Sequence, residues 1–99
     1  MPLQFAIHKW KKEDMPIVAR KVIEALQQVP EGVCIHFSWL SAGQDGAWCV
    51  WEAESPGQVK KFLTAKVPEM ETEVKPVLQW FPPSPDLYAF IHTLVTQER

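Results

Sequence analysis

Three histidines, two cysteines and five tryptophans carry most of the chemistry available to this 99-residue chain. His8 and His36 both sit in strand-like stretches. There an imidazole can act as a general base, a metal ligand or a hydrogen-bonding group in a wet cavity. His92 falls on the polar edge of a helical stretch and reads as solvated. Cys34 lies two residues from His36, so one strand face can hold both, and a histidine beside a thiol lowers its pKa. Packing is the plainer role for both Cys34 and Cys49. Neither a C-x-x-C pair nor an H-E-x-x-H motif occurs, so the strong zinc signatures are missing and no metal or cofactor is expected. Trp10, Trp51 and Trp80 need partners for their indole N–H groups, and such residues mark interfaces or aromatic ligand walls.

Composition narrows the rest. The chain is 46% hydrophobic and 22% charged, which excludes intrinsic disorder. A net charge of −2 gives no field to draw in nucleic acid or anionic lipid. Two cysteines are too few for a disulfide scaffold. His8 and Lys9 interrupt the start before a signal-peptide apolar region forms, and no apolar run approaches the ~20 residues of a membrane span. The expectation is a cytoplasmic protein with reduced thiols and neither a nucleic-acid nor a membrane partner.

The elements that must position these residues follow from periodicity. Leu3, Phe5 and Ile7 alternate with polar or small residues, and a strand is expected from Leu3 to Trp10. Asp14 and Pro16 open a helix with Val18, Val22, Ala25, Leu26 and Val29 on one side, stopped by Pro30 and Gly32 near Gln28. Val33 to Ala42 is a second strand, Gly43 to Gly46 a hairpin turn whose glycines accept positive φ, and Ala47 to Ala53 a third strand. Ser55-Pro56-Gly57-Gln58 caps a second helix with Val59, Phe62, Leu63 and Val67 inward, ended by Pro68. Glu71 to Trp80 is a fourth strand, placed at an edge by Pro76. After a rigid Phe81-Pro82-Pro83-Ser84-Pro85 connector, Ser84 caps a last helix striped by Leu87, Phe90, Ile91, Leu94 and Val95.

The order βαββαβ is the ferredoxin-like split βαβ: an α+β fold with antiparallel strand order 4-1-3-2 and both helices on one face. Residues 1–81 form that domain, and 82–99 form the Pro-rich linker and amphipathic helix, packed on the domain or its partner. If Gly43 pairs with Gly46, Trp39 faces Val50 and Phe37 faces Glu52. The side holding Val33, Ile35, Phe37, Trp39, Trp48 and Val50 is the more apolar and is assigned to the core beneath the helices, with Leu3, Phe5, Ile7, Val74 and Leu78. The other side collects Gln4, His8, Trp10, Cys34, His36, Ser38, Leu40, Cys49, Trp51, Lys75, Val77 and Gln79. A one-residue bulge would exchange part of these sets. His8 and His36 would stand two strand spacings and a ~10 Å offset apart, too far for one metal ion. That second side is still too apolar for water, so a second subunit in a C2 homodimer, sheet against sheet, is the expected cover.

Ile7-His8-Lys9-Trp10, Val29-Pro30-Glu31-Gly32, Ser38-Trp39, Val50-Trp51-Glu52-Ala53 before Ser55-Pro56, and Glu73-Val74-Lys75-Pro76-Val77-Leu78 resemble an uncharacterised family of small dimeric α/β-barrel proteins, over residues 1 to about 80. The resemblance implies two copies pairing into a barrel. It carries no established activity. The similar wider superfamily includes cofactor-free monooxygenases, heme-handling proteins, stress-responsive barrels and a nickel-binding group. Three functions stay open. The first is binding of a small aromatic or apolar ligand in a sheet-lined cavity with His8, His36, Ser38 and Trp51 in its lining. The second is a cofactor-free monooxygenase or isomerase using a cavity histidine. The third is a non-catalytic assembly module with a solid interface.

Overall fold

Alternating side chains and two capped helices give the expected architecture. The computed structural model describes residues 2–97. It contains β1 (Leu3–Lys9), α1 (Met15–Leu26), β2 (Cys34–Leu40), β3 (Gly46–Glu52), α2 (Pro56–Lys66), β4 (Glu71–Val77) and α3 (Pro85–Gln97). All strand pairs are antiparallel and the sheet order is β2-β3-β1-β4, the α+β ferredoxin-like arrangement. A 3-10 turn over Lys12–Asp14 leads into α1, and Asp14 stands at the cap position without a side-chain cap bond. Ser55 does cap α2: its Oγ accepts from Gln58 N at 3.3 Å, while Gln58 Oε1 accepts from Glu54 N at 3.2 Å. Ser84 caps α3 in the same way through Leu87 N at 3.2 Å. β4 stops at Val77 rather than Trp80, and Trp10 lies just beyond β1.

The hairpin corrects two expectations. Its positive-φ residue is Gln44, at 64°, rather than Gly43 or Gly46. Gly46 matters for space: a Cβ there would stand 2.9 Å from the His8 carbonyl oxygen. The register also moves by two residues, so that Trp39 pairs with Trp48 and Phe37 with Val50. A bulge between Ile35 and Phe37 then shifts the pairing, leaving Ile35 opposite Trp51 and Cys34 opposite Glu52.

On β1, on β3 and along Phe37–Trp39 the sheet's sides are the reverse of those expected, whereas Val33, Ile35 and Val74 do pack beneath the helices as expected, and Lys75 and Val77 lie on the open face. The helices cover Gln4, Ala6, His8, Cys49 and Trp51, all buried, together with Thr72. Val18 of α1 and Val59 and Leu63 of α2 close over them, with Val67 and Met70. Phe37, Trp39 and Trp48 are exposed on the opposite face, beside half-buried Leu3, Phe5, Ile7 and Val50. Alternation decides which residues share a face, but the right-handed βαβ crossover decides which face the helices take, whichever is greasier. The polar residues on the covered face are partly compensated. Gln4 Nε2 donates to Ala53 O at 3.1 Å, and His8 bonds Thr72.

α3 continues from β4 and contributes one buried side chain, Leu87. No helix among the described residues is long and apolar enough to cross a membrane.

Candidate functional site

A cleft of about 240 Å³ opens between α1 and the covered face of the sheet. β1 supplies His8, β2 supplies Ser38, β3 supplies Cys49 and Trp51, and α1 closes the roof with Val18 and Ala19. Its mouth lies where α1 fails to cover edge strand β2, leaving Ile23, Leu26 and Leu40 exposed. The wall is apolar apart from a few heteroatoms, the composition of a small-molecule site.

His8 is 3% exposed and sits opposite Thr72 in the β1–β4 ladder. Its Nδ1 lies 3.0 Å from Thr72 Oγ1, a contact that fixes the ring; the threonine hydroxyl can donate or accept, so either neutral tautomer fits. Burial lowers its pKa to about 4, so the ring is uncharged at neutral pH. Trp51, 1% exposed, stacks edge-on against Phe62 with centroids 6.3 Å apart. Its Nε1 is buried without a hydrogen-bond partner among the described residues, as is Gln4 Oε1. An orphan donor of this kind costs about 1–3 kcal/mol, and a ligand acceptor reaching it would recover much of that. Ser38 Oγ lies 3.3 Å from Cys49 Sγ. Burial raises the Cys49 pKa against the smaller opposing effect of that bond, so this thiol is protonated and unreactive. Trp10 is pinned at the cleft's end: its N–H donates to Asp45 O at 3.1 Å and its indole Nε1 to Gln44 O at 2.9 Å.

Three of the four expected lining residues, His8, Ser38 and Trp51, therefore meet in one cleft. The cleft lies under the chain's own helix, not between two sheets. His36 does not join them. The bulge turns it toward the open side, where Nε2 pairs with Glu52 Oε1 at 3.1 Å. Cys34 also leaves the expected set and is exposed, while Cys49 is buried, and both are free thiols. No group of three or more potential metal ligands occurs among the described residues. Thr72 and the α1 lining were not singled out in the sequence. The antiparallel pairing of β1 with β4 was the available signal for Thr72, since it places that residue across from His8.

A larger depression, about 610 Å³, lies by the end of α2 among Lys9, Lys60, Glu69 and Glu71. It is broad and lined by charges of both signs, unlike the apolar wall of the α1 cleft. Nearby, Lys21 Nζ ties α1 to Glu69, in the turn between α2 and β4, at 2.6 Å.

No curated protein matches this chain. A solved structure titled as an unknown protein from Galdieria sulphuraria is similar in fold, with a TM-score of 0.53 and 15% identity. The alignment covers 85% of this chain and 47% of that one, so this chain spans about half that protein's length. The likeness extends to the fold alone. A family model described as Domain of unknown function (DUF3303) matches residues 4–81, from β1 through the end of the sheet, and the chain belongs to that family.

Proposed function

We propose that this protein binds a small, uncharged, largely apolar or aromatic molecule in the α1 cleft, through one polar atom directed at His8. The observation that carries this reading is the pairing of an apolar cleft of about 240 Å³ with a buried neutral imidazole on its wall. A dry cavity of ~150 Å³ accepts benzene, so this volume suits a substituted ring or a compact bicycle. A charged ligand would lose its hydration with no counter-charge in the lining. The low pKa of His8 also separates binding from catalysis. A base whose conjugate acid has a pKa near 4 is a weak proton acceptor at neutral pH, so monooxygenase or isomerase chemistry through His8 is disfavoured. Two free cysteines are in keeping with action in a reducing cytoplasm.

Titration with phenol, p-cresol and indole, followed by NMR shifts of the His8 ring protons, tests the proposal. Saturable binding with dissociation constants of about 0.1–1 mM is expected for ligands of this size. Ala19→Phe, which fills the roof of the cleft, should abolish it. No saturable shift, or equal binding by that variant, would sink the assignment.

A further inference from the structure

Two apolar surfaces have no partner among the described residues. The first is the open sheet face, where Phe37 is 59% exposed, Trp39 51% and Trp48 41%. Phe37 and Trp39 stack there at 5.7 Å and 10°. The second is α3. At 100° per residue, Tyr88, Phe90, Ile91, Leu94 and Val95 fall within an arc of about 160°. All five are exposed, and Asp86 is the sole charged residue within Pro85–Gln97. A 13-residue helix with so few charges is marginal in water without tertiary packing.

The two surfaces are neighbours, yet they do not meet. The root of α3, at Ser84 and Asp86, borders a depression shared with Leu3 and Val77 at the corner of the sheet. From there the helix leads away. The radius of gyration is 15.6 Å and the longest extent 54 Å, against about 13 Å for the radius of a compact domain of this length. Pro82, Pro83 and Pro85 fix φ at three positions, so the segment that launches α3 is stiff.

We propose that α3 is an exchanged arm: in a two-fold dimer, each α3 lies across the open sheet face of the second copy. Size favours this occupant. Thirteen helical residues reach about 20 Å, which matches the width of four strands at ~4.8 Å spacing. The exposed parts of Phe37, Trp39 and Trp48 offer roughly 300 Å², taking about 200 Å² per aromatic ring system. The α3 stripe and the half-buried sheet residues add roughly as much again, and the total of about 600 Å² reaches the low end of the roughly 600–1,000 Å² per partner of a standard interface. Neither surface reaches that area alone. The sheet centre, at Phe5, Ile7, Trp48 and Val50, is uncharged and α3 nearly so; Glu73 and Lys75 of β4 share that face but stand exposed at its edge, where they can stay in water beside the helix.

Sedimentation equilibrium of the full chain at micromolar concentration tests the exchange, with Trp39→Asp removing the sheet site and Leu94→Asp removing the arm. The full chain should run at twice 11.4 kDa. Each variant should weaken the dimer at least roughly tenfold. An equimolar mixture of the two variants should recover dimer, because the intact arm of one meets the intact sheet of the other. Far-UV circular dichroism checks folding, and Trp39→Gln with Leu94→Gln replaces any charged variant that fails it. A monomeric full chain overturns the proposal. So does a Leu94→Asp dimer of undiminished affinity, which would mean the sheets meet each other directly. A mixture that stays monomeric also overturns it, since arms packed within their own chain cannot complement.

Discussion

At the residue scale, His8 links the cleft to stability. Its folded pKa of about 4 lies below the usual 6.5, so the unfolded chain binds more protons between those values. The sign follows: stability is fully present above pH 6.5 and is lost as pH falls toward 4, by about 3 kcal/mol for this group. Carboxylates titrate in the lower part of that window, so the test is a difference. Urea midpoints of the native protein should fall more steeply from pH 7 to 4 than those of His8→Gln, and equal slopes would refute the assignment. The sequence revealed part of this site. Strand parity alone places His8, Ser38 and Trp51 on one face, because alternate residues of antiparallel strands must share a side. His36 escaped because a bulge is a local backbone event, and no residue type within Ile35-His36-Phe37 announces it.

At the element scale, the turns and caps hold the cleft's walls in register. The β2–β3 hairpin approaches β1 so closely that a Cβ on Gly46 would meet the His8 carbonyl at 2.9 Å, an unyielding backbone atom. Gly46→Ala should therefore cost about 1–3 kcal/mol in chemical denaturation. Gly43→Ala, whose Cβ would meet the movable Asp45 carboxylate at 3.2 Å, should cost clearly less. If the two variants proved equally stable, the close approach would not be a constraint. Ser55→Ala should lose about 1 kcal/mol through the α2 cap, read from the same denaturation curves. The elements were legible because periodicity and capping are local: all four strands, both crossover helices and α3 stand near their expected positions. The side of the sheet taken by the helices was not legible. Apolarity selects the greasier face only if one face alone is to be hidden, and here both faces are apolar.

At the scale of the whole molecule, these two faces imply two different burial events. Folding hides one face beneath α1 and α2, and the proposed arm exchange would hide the other. A 99-residue chain has one modest core, so the second event should contribute visibly to stability. With that exchange, mass action makes thermal stability depend on concentration, because the folded chain would bind a second copy and the unfolded chain would not. For a dimer that dissociates as it unfolds, each tenfold rise in concentration adds about 1.4 kcal/mol per dimer, or about 0.7 kcal/mol per chain. For a domain near 100 residues that corresponds to a melting temperature higher by about 3–5 °C. Calorimetry across two decades of concentration should show this rise for the native protein and a flat response for Trp39→Asp. The cleft lies on the other side of the sheet, so p-cresol at saturating concentration should raise the melting temperature of both proteins. A native melting temperature independent of concentration would mean that the aromatic face is left in water, and the argument for a second burial event would fail.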